Sequence, residues 1–85
     1  MNPYIEHQID NNIVIRTFKE STDSEDFMWH RDQEDRVIYP IVDTDWLIQL
    51  DNELPKKIEA GIRIQAGVWH RLIKGSGELR IRIER

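Results

Sequence analysis

Residues 78–84 read Glu78-Leu79-Arg80-Ile81-Arg82-Ile83-Glu84, a strict alternation of charged and aliphatic side chains. Successive side chains of an extended strand point to opposite faces, so Leu79, Ile81 and Ile83 share one face and Arg80 and Arg82 the other. A helix would scatter the same aliphatics around its circumference, so the pattern reads as a half-buried strand. Working outward, shorter runs of the same type lie at 12–18, 27–30, 37–39, 46–50, 62–64 and 68–73. Turn-forming residues separate them: Asp10-Asn11-Asn12, Asp43-Thr44-Asp45, Asp51-Asn52-Glu53-Leu54-Pro55, Ala66-Gly67 and Lys74-Gly75-Ser76-Gly77. The polar stretch Glu20–Asp26 reads as a loop with room for one helical turn. Short strands at this spacing indicate an all-β sandwich or barrel.

The chain has 85 residues, enough for one small domain and too few for a separate catalytic one. It has no cysteine, which removes disulfides, a thiol nucleophile and cysteine-ligated zinc. No apolar run approaches the roughly 20 residues of a membrane span. Met1-Asn2-Pro3-Tyr4 does not open a secretory signal, so the expected location is cytoplasmic. Net charge is −4, but residues 1–55 carry −9 and residues 56–85 carry +5. In a small β-domain the halves interleave, which predicts ion pairs between them rather than an acidic and a basic lobe.

One internal echo carries chemistry. Trp29-His30-Arg31 recurs 40 residues later as Trp69-His70-Arg71. Alternation places His30 and Asp32 with Met28, opposite Phe27, Trp29 and Arg31; it places His70 with Val68, Leu72 and Lys74, opposite Trp69, Arg71 and Ile73. If the two segments are antiparallel neighbours with the histidines inward, His30, Asp32 and His70 converge. Two imidazoles and a carboxylate suit Fe, Mn, Ni or Zn and leave coordination positions open. The face bearing Phe27 and Trp29 is equally apolar, and with that face inward His30 and Asp32 would point to solvent. In the metal reading the tryptophans face out, to be covered by the 13–15 strand or by a second subunit, which predicts a homodimer.

Ile64-Gln65-Ala66-Gly67-Val68-Trp69-His70-Arg71 resembles the second motif of the cupins, and Trp29-His30-Arg31-Asp32-Gln33-Glu34-Asp35-Arg36 resembles their first motif in degenerate form. The resemblance implies a single-domain cupin-like double-stranded β-helix of about eight to nine short antiparallel strands over residues 1–85, with N-terminal strands and a polar loop at 1–26 and both motifs in a core at 27–84. Asp32 stands where the family has its second histidine, Arg36 near its glutamate, and Gln65 at its usual proline. The pattern His30-x-Asp32…His70 is also similar to the triad of 2-oxoglutarate-dependent iron oxygenases, in which a basic residue at the place of Arg80 grips a carboxylate.

The sequence thus supports three classes of function. One is a small cupin with a divalent metal on His30, Asp32 and His70, binding a small polar ligand with Gln49 and Arg80 as ligand-binding residues. Another is a metal-free, non-catalytic homodimeric module. The third is nucleic-acid contact through Arg63, Arg71, Arg80, Arg82 and Trp69, against which the acidic net charge argues.

Overall fold

The computed structural model describes residues 4–21, 23 and 25–85; Met1–Pro3 of the N-terminal reading, and Thr22 and Ser24 of the polar loop, lie outside them. Eight strands are present among the described residues: β1 (Ile5–Gln8), β2 (Ile13–Phe18), β3 (Arg36–Pro40), β4 (Leu47–Leu50), β5 (Lys56–Lys57), β6 (Ile62–Ile64), β7 (His70–Ile73) and β8 (Leu79–Glu84). They form two antiparallel sheets, one of five strands in the order β1-β2-β8-β3-β6 and one of three in the order β5-β4-β7. Among the described residues no helix is long and apolar enough to cross a membrane.

The alternation at 79–83 holds. Leu79, Ile81 and Ile83 are buried while Arg80 and Arg82 are exposed, and β8 lies between β2 and β3 in the large sheet. Register aligns the inward positions of neighbouring strands: Val14 opposite Ile83, Phe18 opposite Leu79, Ile38 opposite Ile83, and Ile48 opposite Leu72. A one-residue slip would expose every one of these side chains, so the apolar phase itself locks the register. Each fully buried aliphatic contributes about 1.5–3 kcal/mol, which makes this interior the main source of stability. At one end Tyr4, Phe18, Phe27 and Trp46 stack as tilted rings 5.2–6.3 Å apart. Trp46 is fully buried and its indole N–H donates to the Gly77 carbonyl at 3.2 Å.

The run at 27–30 departs from the expected strand. Glu25–Phe27 forms a single 3-10 turn, and only His30 makes a β-bridge. Phe27 therefore does not share the outward face of Trp29; it turns onto Phe18 and Trp46, where aromatic contact outweighs the extended backbone. The two charge-unequal halves are interleaved as expected: Lys74–Asp23, Arg85–Glu34 and Arg63–Asp35 join them at 3.6, 3.7 and 4.0 Å.

Gly75 is required by close approach. A Cβ there would meet the Asp45 carboxylate and lie 2.7 Å from the Trp46 backbone nitrogen. Asp45 in turn accepts from the Ser76 N–H and hydroxyl at 2.8 and 2.6 Å, pinning the β7–β8 turn beside Trp46. Gly75→Ala should therefore cost about 1–3 kcal/mol, lowering the melting midpoint by roughly 4–8 °C per kcal/mol, as measured by calorimetry. Substitution of exposed Glu59 should leave it within about 0.5 kcal/mol.

Candidate metal centre

The Trp-His-Arg echo is a structural pair. The His30 N–H donates to the His70 carbonyl at 3.0 Å and the His70 N–H to the His30 carbonyl at 2.8 Å, an antiparallel bridge that adds the His30 segment to the edge of β7. Directly opposed residues of such a pair share a face, so both imidazoles turn inward, their ring centroids 4.3 Å apart. Asp32 is fixed two residues on: its carbonyl accepts the Gly67 N–H at 2.8 Å, and Asp35 Oδ1 accepts the Ala66 N–H at 2.8 Å. The turn that delivers His70 is thus clamped to the segment that carries Asp32. Gly67 sits at φ +80°, a conformation that suits glycine at this clamp.

The two histidines use their rings alike. Nδ1 of His30 lies 2.9 Å from the Met28 carbonyl, and Nδ1 of His70 lies 2.8 Å from the Val68 carbonyl. A carbonyl oxygen only accepts, so each Nδ1 carries the proton and donates it. In the neutral ring this leaves an Nε2 lone pair, the ligating form. Potential ligand atoms of His30, His70 and Asp32 all lie within 4.8 Å of one another. Asp32 Oδ2 is 3.3 Å from His70 Nε2, is buried, and has no hydrogen-bond donor among the described residues, while Oδ1 faces Arg36 Nη2 at 3.6 Å. Burial lowers the His70 pKa, as do the nearby His30 and Arg36; the Val68 hydrogen bond and the Asp32 charge oppose that shift. The environment therefore disfavours the proton that would otherwise sit between Nε2 and Oδ2.

The three groups open onto a cavity of about 20 Å³, room for about one water molecule. Its floor is apolar (Phe18, Ile38, Ile48, Leu72, Ile81, Ile83), and its polar wall adds Arg16, Asp26 and Arg36 to the triad. Arg16 is 8% exposed, held by Glu6 Oε1 at 3.0 and 2.7 Å through Nε and Nη2. Its Nη1 lies 3.6 Å from Asp26 Oδ1, which is also 3.6 Å from His30 Nε2.

Of the residues singled out from sequence, His30, Asp32 and His70 meet; Gln49 and Arg80 do not join them. Gln49 points away from the cavity between the inward-facing Ile48 and Leu50, accepts from Arg71 Nε at 3.0 Å and donates to the Glu53 carbonyl at 3.1 Å. Arg80 is exposed on the outer face of β8. Arg80 and Arg82 also lie on a different sheet from the His70 strand, so they form no common stripe with Trp69. Sequence reasoning missed Arg16 and Asp26. Arg16 had a readable signal, because it shares the inward phase of Val14 and Phe18; Asp26 had none, since a 3-10 turn rather than periodicity places it. On the outer side of the bridge, Arg31 stacks over Trp69 at 5.0 Å and Arg71 over Trp29 at 4.9 Å, each tryptophan 42% exposed. The expected cover from the 13–15 strand is not there, since β2 belongs to the other sheet.

No family model and no curated protein sequence matches the chain. Solved structures do. A cupin domain from Bordetella pertussis superposes with a TM-score of 0.64 at 22% identity, covering 98% of this chain and 93% of that one. A protein from Neisseria meningitidis gives 0.64 at 17% identity, with 95% and 80% covered. A protein from Planctomyces limnophilus gives 0.58 at 17%, with 94% and 69% covered. With two antiparallel sheets closed around an apolar interior, and full-length superposition on a cupin domain, the chain has a small cupin-like fold.

Proposed function

We propose that this protein is a small metal-binding cupin in which His30 Nε2, His70 Nε2 and a carboxylate oxygen of Asp32 hold one divalent transition metal. The observation that carries the reading is the meeting of three acceptor groups with no donor among them: both ring N–H groups are spent on backbone carbonyls, and Asp32 Oδ2 is buried without a hydrogen bond from any described residue. Uncompensated acceptors at this separation repel, and a buried unsatisfied oxygen costs about 1–3 kcal/mol. A cation removes both penalties. The donor set fits Fe(II), Mn(II), Ni(II) or Zn(II), and the Met28 and Val68 carbonyls provide the outer hydrogen bonds that orient metal-bound imidazoles. When bound, such a metal supplies Lewis acidity toward a small polar ligand. The chain's own residues orient the ligands, exclude bulk water through the apolar floor, and place two guanidiniums beside the centre.

Metal should raise the melting temperature, with about 2.7 kcal/mol of stabilisation at a hundredfold excess over Kd. Scanning calorimetry with Zn(II), Ni(II), Mn(II) and anaerobic Fe(II) measures it. EDTA should reverse the shift and His70→Ala abolish it; identical melting with and without every metal contradicts the reading.

The pH dependence follows from His70. Its folded-state pKa lies below the ordinary imidazole value, so folding favours the neutral ring and the metal-free protein gains stability from it above about pH 6.5. That contribution should fade as pH falls through the lowered pKa. Chemical denaturation of metal-free protein across about pH 5–8 should show this loss, and His70→Gln should flatten it.

A second reading, a homodimer closing over the outer face, is supported by half-exposed Trp29 and Trp69 beside Met28, which is 70% exposed. A stable dimer needs about 800 Å² buried per partner. Sedimentation equilibrium should give a dimer that Trp69→Glu converts to monomer; a monomeric parent protein removes this reading without touching the metal site.

A further inference from the structure

We propose that the metal centre takes a small anion as its exogenous ligand, received by Arg36 and supported by Arg16. This inference rests on the metal reading above. Two cationic side chains, Arg16 and Arg36, line the same cavity as the triad. Metal-bound imidazoles are neutral. The carboxylates in the cavity wall, Asp26 and Asp32, then balance the two guanidiniums, and a divalent ion leaves the cavity positively charged. Glu6, which reaches Arg16, offsets only part of that excess. In a space of about 20 Å³ beside an apolar floor, the charge is relieved most directly by an anionic ligand on the metal.

The two arginines are not equivalent. Arg16 is committed: Glu6 takes Nε and Nη2, Asp26 lies near Nη1, and the Tyr4 ring lies under the guanidinium at 4.1 Å. It is a fixed cation. Arg36 has capacity left. Its Nη2 faces Asp32 Oδ1 at 3.6 Å, beyond hydrogen-bond distance, and its Nε is buried with no protein acceptor among the described residues. A buried guanidinium N–H without an acceptor is costly, and an anion bound at the adjacent metal provides one. The small volume admits about one water-sized group beside the metal, so hydroxide would fit whole and formate or azide would enter by one end atom with the rest in the cavity mouth. The competing reading is that Arg36 only orients Asp32, in which case its loss would alter metal affinity and leave ligand preference alone.

The test uses full-length protein loaded with Co(II), whose visible bands report on exogenous ligands. Azide, formate, benzoate and neutral imidazole are titrated in turn. Azide and formate should perturb the bands saturably and more tightly than imidazole, and benzoate should be excluded. Arg36→Gln should weaken both small anions by about tenfold while imidazole changes less than about twofold; Arg36→Lys should recover part of the loss. Arg82→Gln, which removes the same charge from the outer face, should change neither. Equal weakening of anions and imidazole, or no effect on the anions, overturns the proposal, as does a parent protein that prefers imidazole, a result that needs no variant to fold. Absence of cobalt bands in the parent protein overturns the metal reading, and the anion site with it, before any anion is added.

Discussion

The inward bridge between His30 and His70 is the constraint from which the rest of the site follows. Two backbone hydrogen bonds place the imidazoles side by side, and two more, from each Nδ1 to a carbonyl two residues back, fix both rings in one tautomeric role. Ligating geometry of this kind is set by backbone. It therefore does not depend on long, flexible side chains finding one another, which would cost conformational entropy. Asp32 enters through the same logic, since its main chain is tied to the Gly67 turn while its carboxylate is left facing the rings.

Such a polar set is tolerable only because the remainder of the interior is strongly apolar. Among the described residues thirteen hydrophobic side chains make up the buried core, and two polar or charged residues, Arg16 and His70, are buried with them. Burying a guanidinium such as Arg16 seldom adds stability over an apolar replacement, so folding alone does not account for it or for the polar His70 that lines the same cavity. The Arg63–Asp35 and Arg85–Glu34 pairs on the outer surface are different in kind: long, more exposed and worth little each.

Much of this was legible in the order of residues. The 78–84 alternation, the turn clusters and the Trp-His-Arg echo carry the all-β roll, the pairing of the two histidine segments and the choice of His30, Asp32 and His70. Other features were hidden for definable reasons. Period-two reasoning assigns Phe27 to the outer face, yet aromatic packing onto Phe18 and Trp46 curls that segment into a 3-10 turn. Gln49 is conspicuous as a polar residue in an apolar run, but its phase is opposite to that of Ile48 and Leu50, and phase decides which side of a strand it serves. Arg80 was chosen by its distance from His70 along the chain, although the 78–84 alternation already sets it on the face opposite the buried Leu79 and Ile81. Arg16 shows the converse: an arginine in the inward phase between Val14 and Phe18 was readable, and residue type alone concealed it.

The most direct measurement is anomalous diffraction from crystals of metal-loaded protein, with data collected on either side of the metal's absorption edge. The reading developed from these residues predicts a single strong peak within bonding distance of His30 Nε2, His70 Nε2 and an Asp32 carboxylate oxygen. A map of metal-loaded crystals without that peak would contradict it.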